Sequence, residues 1–175
     1  MSTGNFRIEN TTPSDLDFIF SLFESAMEYQ RKNNYPVWAG YDRNVILEDM
    51  ERKQQYKIMV EEEIGIVFSV IYADPLIWRE RDKGDAIYLH RIVVNPKFKG
   101  QKLFGRILDW ALTHAQEKQL DYIRMDTWGD NPNMIAYYMS YGFHFIGNHK
   151  TSCTTELPQQ NRNLVLALLE MNVRR

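Results

Sequence analysis

The chain has 175 residues and a formal net charge of −2 at pH 7, with 44% apolar residues, 25% charged residues and one cysteine. A chain of this length buries enough surface for one core but is short for two, so we predict a single domain over residues 1–175. The composition is too apolar for a disordered chain, and the near-zero net charge argues against a nucleic-acid-binding protein. The lone Cys153 cannot form an internal disulfide, so no oxidising compartment is indicated.

The first residues and the apolar runs predict neither a signal peptide nor a membrane partner. Residues 1–5 are polar, and the longest apolar runs, 66–73 and 164–169, fall well short of the roughly 18 residues that a membrane span requires. We therefore expect a cytoplasmic protein in which both runs form buried strands.

The spacing of apolar residues predicts elements in the order β-α-α-β-β-β-α-β-α-β-β. The first predicted helix begins at Thr12-Pro13, and its apolar pattern fades near Tyr29. Three further helices are predicted over residues 43–53, 102–118 and 131–141. The predicted strands cover residues 6–10, 56–61, 64–73, 86–94, 122–127, 143–150 and 164–171. Residues 36–41, 76–84 and 151–163 are predicted to be loops or irregular links. This order with hairpins indicates one α/β (α+β) domain, a mixed and mostly antiparallel sheet of about seven strands with about four helices.

A basic segment lies where the strand 86–94 leads into the helix 102–118. No acidic residue stands between residues 95 and 108, and the bases there are Lys97, Lys99, Lys102 and Arg106. A strand–loop–helix connection directs backbone N–H groups and the positive helix end at one place, which suits phosphate. The alternative is a solvated basic helix start, but bases there oppose the helix dipole, so we favour a pyrophosphate site. The glycine pattern matches neither a dinucleotide fingerprint nor a Walker loop.

A second pattern covers residues 131–143. Asn131 and Tyr138 are seven positions apart, which returns them to one face of a helix. Gly142 suits the left-handed residue that ends a helix, and Phe143 then begins a strand. Taken alone, the tyrosines of this helix are typical of a core in which each hydroxyl has a partner.

Together these two segments resemble the GNAT superfamily of acyl-CoA-dependent N-acetyltransferases. The family's Asn…Tyr…Gly-Phe spacing is met by Asn131, Tyr138, Gly142 and Phe143. Element order extends the resemblance to most of the chain and implies a single GNAT-like domain.

The pyrophosphate loop matches the family only in part. Residues 94–96 read Val-Asn-Pro and residues 99–101 read Lys-Gly-Gln, as the approach to the family's loop requires. Lys99 replaces the usual Arg or Gln, and Lys102 and Phe104 stand where the family has glycines that let the backbone approach the pyrophosphate. Their side chains must therefore point away from the loop or narrow the approach to it.

The resemblance implies acetyl-CoA as co-substrate and direct attack of an amine on the thioester in a ternary complex. Tyr138 would protonate the leaving sulfur, since a phenol is a neutral donor at pH 7. Backbone contacts to the pantetheine and the acyl oxygen would come from Ile92, Val93 and Val94. The other implied cofactor-binding residues are Lys99, Gly100, Gln101, Lys102, Leu103, Phe104, Gly105 and Asn131, with Tyr138 counted among them.

The general base is predicted less directly. Strand alternation puts Tyr88 and His90 on one face, and histidine is the side chain best suited to accept a proton near neutral pH. The arylalkylamine branch of the family has a similar His-Leu-His, of which His90 fits the second histidine and Tyr88 replaces the first. A water relay to Asp126 is the rival, and a purely structural histidine is the plain alternative.

Acceptor contacts are expected from Trp38 and Tyr41 in the aromatic loop and from Tyr88 and Asp126 in the strands. Trp38 packed on the core is the alternative for that loop. No metal site is predicted, Cys153 lacks a partner for a catalytic role, and His114 is predicted to be structural.

We therefore expect transfer of an acetyl group from acetyl-CoA to a primary amine. A small molecule is favoured over a protein as acceptor, but nothing in the sequence excludes peptide or protein acceptors. The first alternative is a non-catalytic or altered-specificity acyl-CoA-binding module with a degenerate pyrophosphate loop. The second is a nucleotide- or phosphate-binding domain unrelated to this family. Members of the family are often dimers, so a homodimer is also compatible with the resemblance.

Overall fold

The computed structural model describes residues 5–34 and 40–173. Its helices are α1 (Leu16–Lys32), α2 (Arg43–Glu51), α3 (Pro75–Trp78), α4 (Leu103–Glu117) and α5 (Pro132–Met139). Its strands are β1 (Phe6–Asn10), β2 (Gln55–Val60), β3 (Glu63–Ile71), β4 (Ala86–Val94), β5 (Tyr122–Trp128), β6 (His144–Lys150) and β7 (Val165–Asn172).

The strands form one seven-stranded sheet in the order β1-β2-β3-β4-β5-β7-β6. Pairing is antiparallel between β1 and β2, β2 and β3, β5 and β7, and β6 and β7, whereas β4 and β5 are parallel. The predicted mixed and mostly antiparallel sheet is thereby confirmed. Among the described residues, no helix has the length and apolar character needed to cross a membrane.

The predicted helices are found as α1, α2, α4 and α5, and α3 is the addition. Residues 76–84 were expected to be irregular, but most of α3 and a 3-10 turn, Arg79–Arg81, lie within that segment. Pro75 stands in the first turn of α3, where its fixed φ favours a helix. A helix of four residues is too short to display the helical repeat of apolar positions, and for that reason periodicity missed it.

The chain divides into two compact units, residues 1–70 with 91–107 and residues 71–90 with 108–175. The divisions fall inside β4, after His90, and inside α4, after Ile107.

The first unit packs α1 and α2 on β2, β3 and the end of β4. The inward residues of α1 recur at helical spacing, as predicted, so one face of this helix is apolar. The buried core of this unit consists of Ile19, Leu22, Phe23, Ile46, Met59, Ile64, Val67 and Val93.

A buried ion pair ties α2 to β4 in the first unit. Asp49 of α2 accepts hydrogen bonds from Arg91 Nε at 2.8 Å and from Ser69 Oγ at 2.7 Å. The two charged side chains are each 7% exposed. Arg91 has a φ of 50°, a left-handed conformation that costs a non-glycine residue about 1–3 kcal/mol and is held here by these contacts.

The second unit packs α3 and the loop before β7 against β4, β5 and β7. Its described core consists of Ile77, Trp78, Ala86, Tyr88, Leu157, Leu166 and Leu168. The parallel pairing in this unit joins Ala86–Tyr88 of β4 to Tyr122–Arg124 of β5.

We predict that Asp49→Ala lowers the free energy of unfolding by about 3–5 kcal/mol, because it leaves the Arg91 guanidinium buried without its carboxylate. Urea unfolding followed by circular dichroism measures this change. Glu28→Ala is the matched control, since Glu28 pairs with Arg31 and Lys32 at the surface of α1. The control should cost less than about 1 kcal/mol, and equal losses in the two variants would contradict the assigned role of Asp49.

Candidate active site

The register of β4 and β5 creates a row of polar side chains in the second unit. The parallel pairing aligns Tyr88 with Arg124. Side chains two positions apart share a face of a strand, so His90 and Asp126 follow on the same faces. His90 Nδ1 lies 3.9 Å from Asp126 Oδ2, and the two side chains are 8% and 9% exposed. Two residues predicted as rival bases are therefore neighbours.

A second carboxylate approaches the other side of the imidazole. Asp74, between β3 and α3, places Oδ2 2.9 Å from His90 Nε2, and its side chain is 10% exposed. His90 is thus bracketed by Asp74 and Asp126. Sequence reasoning treated Asp74 only as the residue that ends a strand before Pro75, and no pattern pairs it with a histidine 16 positions away.

Tyr138 belongs to the same cluster. Burial, and then the negative charge of Asp126, raise the pKa of the Tyr138 hydroxyl. The phenol is therefore protonated at pH 7 and remains so at a higher pH than an ordinary tyrosine. The second unit accordingly brings together His90, Asp126 and Tyr138, which the sequence assigned to base, relay and acid roles.

Asp74, His90 and Asp126 together offer one donor atom each within 4.8 Å of one another. A metal ion, however, binds one nitrogen of an imidazole, and here the two carboxylates approach different ring nitrogens. The arrangement pairs one ring nitrogen with a hydrogen-bonded carboxylate at 2.9 Å and places the other nitrogen 3.9 Å from a second carboxylate.

Tyr88 lies two positions before His90, on the same face of β4, and is fully buried. Its hydroxyl donates to Asp82 Oδ1 at 2.6 Å and accepts from Arg124 Nη1 at 3.1 Å. Burial and the hydrogen bond to Asp82 raise the pKa of Tyr88. Arg124 also pairs with Glu170 at 2.8 Å, so this guanidinium is fixed in the core. Contact of Tyr88 with an acceptor stays a prediction.

The predicted pyrophosphate loop has an accessible backbone in the first unit. Gly100, Gln101 and Lys102 are exposed, whereas Leu103 and Phe104 are 3% and 5% exposed. The Phe104 side chain therefore points into the core and away from the loop, which is one of the two outcomes that its place in the motif allowed. Gly105 N–H donates to the Lys102 carbonyl at 3.0 Å and closes the first turn of α4.

Three of the four bases in this segment have aromatic or acidic neighbours. Lys97 pairs with Glu63, Lys99 lies 3.7 Å from the ring centroid of Tyr29, and Arg106 lies 4.6 Å from that of Phe6. Lys102 is exposed at the start of α4. The basic side chains are present as predicted, but three of the four are in contact with other side chains.

The other residues that were predicted to bind the cofactor lie in β4 and at the start of α5. In β4, Ile92 is half-buried, Val93 is buried and Val94 is exposed. Asn131 caps α5, with its side-chain oxygen accepting from Met134 N–H at 3.1 Å. Gly142 has a φ of 102°, which confirms the left-handed end of this helix. Contact of these residues with the cofactor stays a prediction.

The aromatic loop is described only at its end, because Trp38 lies outside the described residues. Tyr41 packs against Phe20 and Phe23, and its hydroxyl donates to Glu24 at 3.1 Å. His114 has the structural neighbours predicted for it, with Tyr72 Oη at 2.8 Å and the Trp110 ring stacked on it. Cys153 is exposed in its loop.

Comparisons with known proteins show the family to which the chain belongs. The model of the acetyltransferase (GNAT) family matches residues 19–143, so the chain belongs to that family. It is therefore an acyl-CoA-dependent N-acetyltransferase that uses acetyl-CoA.

A curated relative and two solved structures illustrate the likeness. The chain is 27% identical over 161 residues to the uncharacterised N-acetyltransferase YesJ of Bacillus subtilis (strain 168), covering 81% of this chain and 89% of the relative. A GNAT-family acetyltransferase from Listeria monocytogenes superposes with a TM-score of 0.78 at 20% identity, covering 95% of this chain and 94% of that one. A putative acetyltransferase from Salmonella typhimurium, solved with its cofactor acetyl-CoA, has a TM-score of 0.66 at 15% identity, covering 97% and 95%.

The loop conformation predicts opposite effects for two substitutions. Gly100 has a φ of 85° and Lys102 a φ of 54°, both left-handed. Gly100→Ala should destabilise the protein by about 1 kcal/mol through the backbone alone, since an added Cβ meets nothing within 4 Å. Lys102→Gly should be neutral or stabilise by up to about 1 kcal/mol, because glycine adopts that conformation without strain. Thermal unfolding measures both, and a clear loss in Lys102→Gly would contradict the assigned strain.

Proposed function

We propose that this enzyme acetylates the primary amine of a small molecule, with His90 as general base and Tyr138 as general acid. The observation that carries the proposal is the cluster of His90, Asp126 and Tyr138, which joins a proton acceptor on β4 and a proton donor on α5 around a carboxylate of β5. An amine must lose a proton to attack, and a thiolate must gain one to leave, so the reaction needs both groups.

The charges of the cluster favour a cationic acceptor. Asp74 and Asp126 flank His90, and neighbouring carboxylates attract a protonated amine and stabilise an imidazolium. Primary amines are largely protonated near pH 7, as lysine side chains are. The cluster therefore supplies both the attraction for such a group and the base that deprotonates it.

Tyr138 has the properties that a general acid requires. Its raised pKa keeps the hydroxyl proton in place at pH 7, where Asp126 is the neighbour that disfavours phenolate. A neutral phenol can donate a hydrogen bond, and then its proton, to the sulfur as negative charge develops there. The alternative base, a water relay to Asp126, uses the same cluster and differs in which atom first receives the proton.

The loop of the first unit suits the cofactor's pyrophosphate. Exposed residues 100–102, an inward-facing Phe104 and exposed Lys102 leave positive charge available at the start of α4, although the Gln101 N–H already donates to the Phe98 carbonyl at 3.2 Å. When bound, acetyl-CoA supplies the acetyl thioester that is the electrophile. The ammonium loses one proton to His90, whose imidazolium releases it to solvent. The C–N bond then forms as the C–S bond breaks, and the second amine proton offsets the one that Tyr138 gives to the sulfur.

A screen of primary amines with acetyl-CoA tests the proposal directly. Release of free CoA thiol should be detected with one or more small amines and should depend on their concentration. Peptides bearing a free N-terminus or lysine serve as the comparison class and should react more slowly. Acetyl-CoA that raises the melting temperature while no amine is acetylated would favour the non-catalytic module instead.

We predict that Tyr138→Phe lowers kcat by about 10²-fold with little change in the affinity for acetyl-CoA, because only the proton donor is removed. Steady-state kinetics with the best amine, together with acetyl-CoA titration, separates the two effects. Tyr137→Phe is the matched control, since Tyr137 is the adjacent tyrosine and is 41% exposed. Equal rates for wild type and Tyr138→Phe would remove Tyr138 from the acid role.

A cytoplasmic location belongs to this proposal, and a homodimer is compatible with the family resemblance. Gel filtration with light scattering measures the second directly.

A further inference from the structure

Asp74 is the residue of the cluster that no sequence pattern or comparison assigns. Its carboxylate lies 2.9 Å from His90 Nε2, which is a full hydrogen bond between two side chains that are 10% and 8% exposed. Asp126, by contrast, lies 3.9 Å from the other ring nitrogen. The two carboxylates therefore act on His90 differently, one by direct hydrogen bonding and the other by charge across a longer distance.

The bond to Asp74 decides which nitrogen of His90 carries the proton. An ionised carboxylate only accepts hydrogen bonds, so the partner nitrogen, Nε2, must be the donor. In the neutral imidazole Nδ1 then holds the lone pair. We propose that Asp74 is a positioning residue that holds His90 in the Nε2–H tautomer, so that Nδ1 is the atom that receives the proton of the amine. This inference rests on the proposed function, in which His90 is the base.

Asp74 is itself held in place by a chain of hydrogen bonds. Its backbone N–H donates to Asp82 Oδ2 at 3.1 Å, and Asp82 Oδ1 accepts from the Tyr88 hydroxyl at 2.6 Å. That hydroxyl in turn accepts from Arg124 Nη1 at 3.1 Å. Since Arg124 is 4% exposed, the chain is anchored in the core of the second unit. Asp74 and Asp82 are thereby held in fixed positions, as a positioning role requires.

The charged groups around the ring determine what happens when Nδ1 takes a proton. Two carboxylates face it, Asp74 from the segment after β3 and Asp126 from β5. The phenols of Tyr88 on β4 and Tyr138 on α5 have raised pKa values and stay neutral at pH 7. Arg124 on β5 is the nearby cation, and its charge is shared with Glu170. The imidazolium formed on proton transfer is therefore flanked by two negative charges, which stabilise it.

The tautomer can be read without any activity measurement. In wild type labelled with nitrogen-15 histidine, two-dimensional NMR of the ring nitrogens should show Nε2–H for His90, assigned by its loss in His90→Gln. The predominant Nδ1–H tautomer in neutral His90 would overturn the proposal, even if His90 proved to be the base. This wild-type spectrum tests the inference whether or not any Asp74 variant folds.

Asp74→Asn should change both the tautomer and the rate. The asparagine amide can donate to Nε2 and so stabilise the opposite tautomer, and we expect kcat to fall by about 10²- to 10⁴-fold with the KM for acetyl-CoA unchanged. Residual activity should keep its acidic limb, moved to lower pH, because the imidazolium has lost one flanking carboxylate. An Asp74→Asn enzyme with wild-type kcat and wild-type acidic limb would overturn the proposal.

Two further variants separate this inference from the proposed function. Asp74→Glu retains the acceptor and should recover part of the lost rate, whereas Asp109→Asn, at an exposed position of α4, should leave the rate unchanged. Full activity in His90→Gln would remove the base role on which the proposed function depends, and with it the catalytic consequence drawn for Asp74. A wrong tautomer combined with an inactive His90→Gln would instead overturn the role of Asp74 alone.

Discussion

The short parallel register between β4 and β5 is the constraint on which the candidate active site depends. It pairs Ala86–Tyr88 with Tyr122–Arg124 and thereby fixes which of the following residues of the two strands lie beside each other. Because side chains alternate along both strands, the pair after Tyr88 and Arg124 is His90 and Asp126. A slip of β5 by one residue would exchange its faces and put Met125 or Thr127 in the place of Asp126 beside His90, so the register determines which groups meet.

Buried charges serve each unit in a different way. In the first unit, Asp49 neutralises Arg91 at a left-handed position of β4, and the pair stabilises a strained backbone. In the second, Arg124 anchors a chain of hydrogen bonds that ends at Asp74 and His90. Buried carboxylates and guanidinium groups tolerate desolvation only when their partners are well placed, so both networks demand a unique local geometry. In the second unit that geometry also fixes the partner of His90 Nε2.

Local sequence predicted most of the secondary structure for clear physical reasons. Helical spacing of apolar residues in α1 and α4 is a strong periodic signal, whereas β3 and β7 were indicated by short continuous apolar runs bounded by turn residues. Gly142 was predicted as the left-handed end of α5, and its φ of 102° agrees. The four-residue α3 carries no such signal, and it belongs to the segment that begins beside Asp74. The helix that the sequence did not predict therefore begins directly after Asp74, the residue that bonds to His90.

The sequence by itself determined the family and the acetyl-CoA-dependent reaction, and it singled out His90, Asp126 and Tyr138 as candidates for proton transfer. It could do so because short motifs and periodic spacing are local properties. Only the tertiary structure decided that His90 and Asp126 are neighbours, that Phe104 points inward, and that Asp74 bonds to Nε2. These contacts join residues far apart in the chain, and their distances depend on strand register and packing. No local pattern contains that information, since the same residues in another register would face other partners.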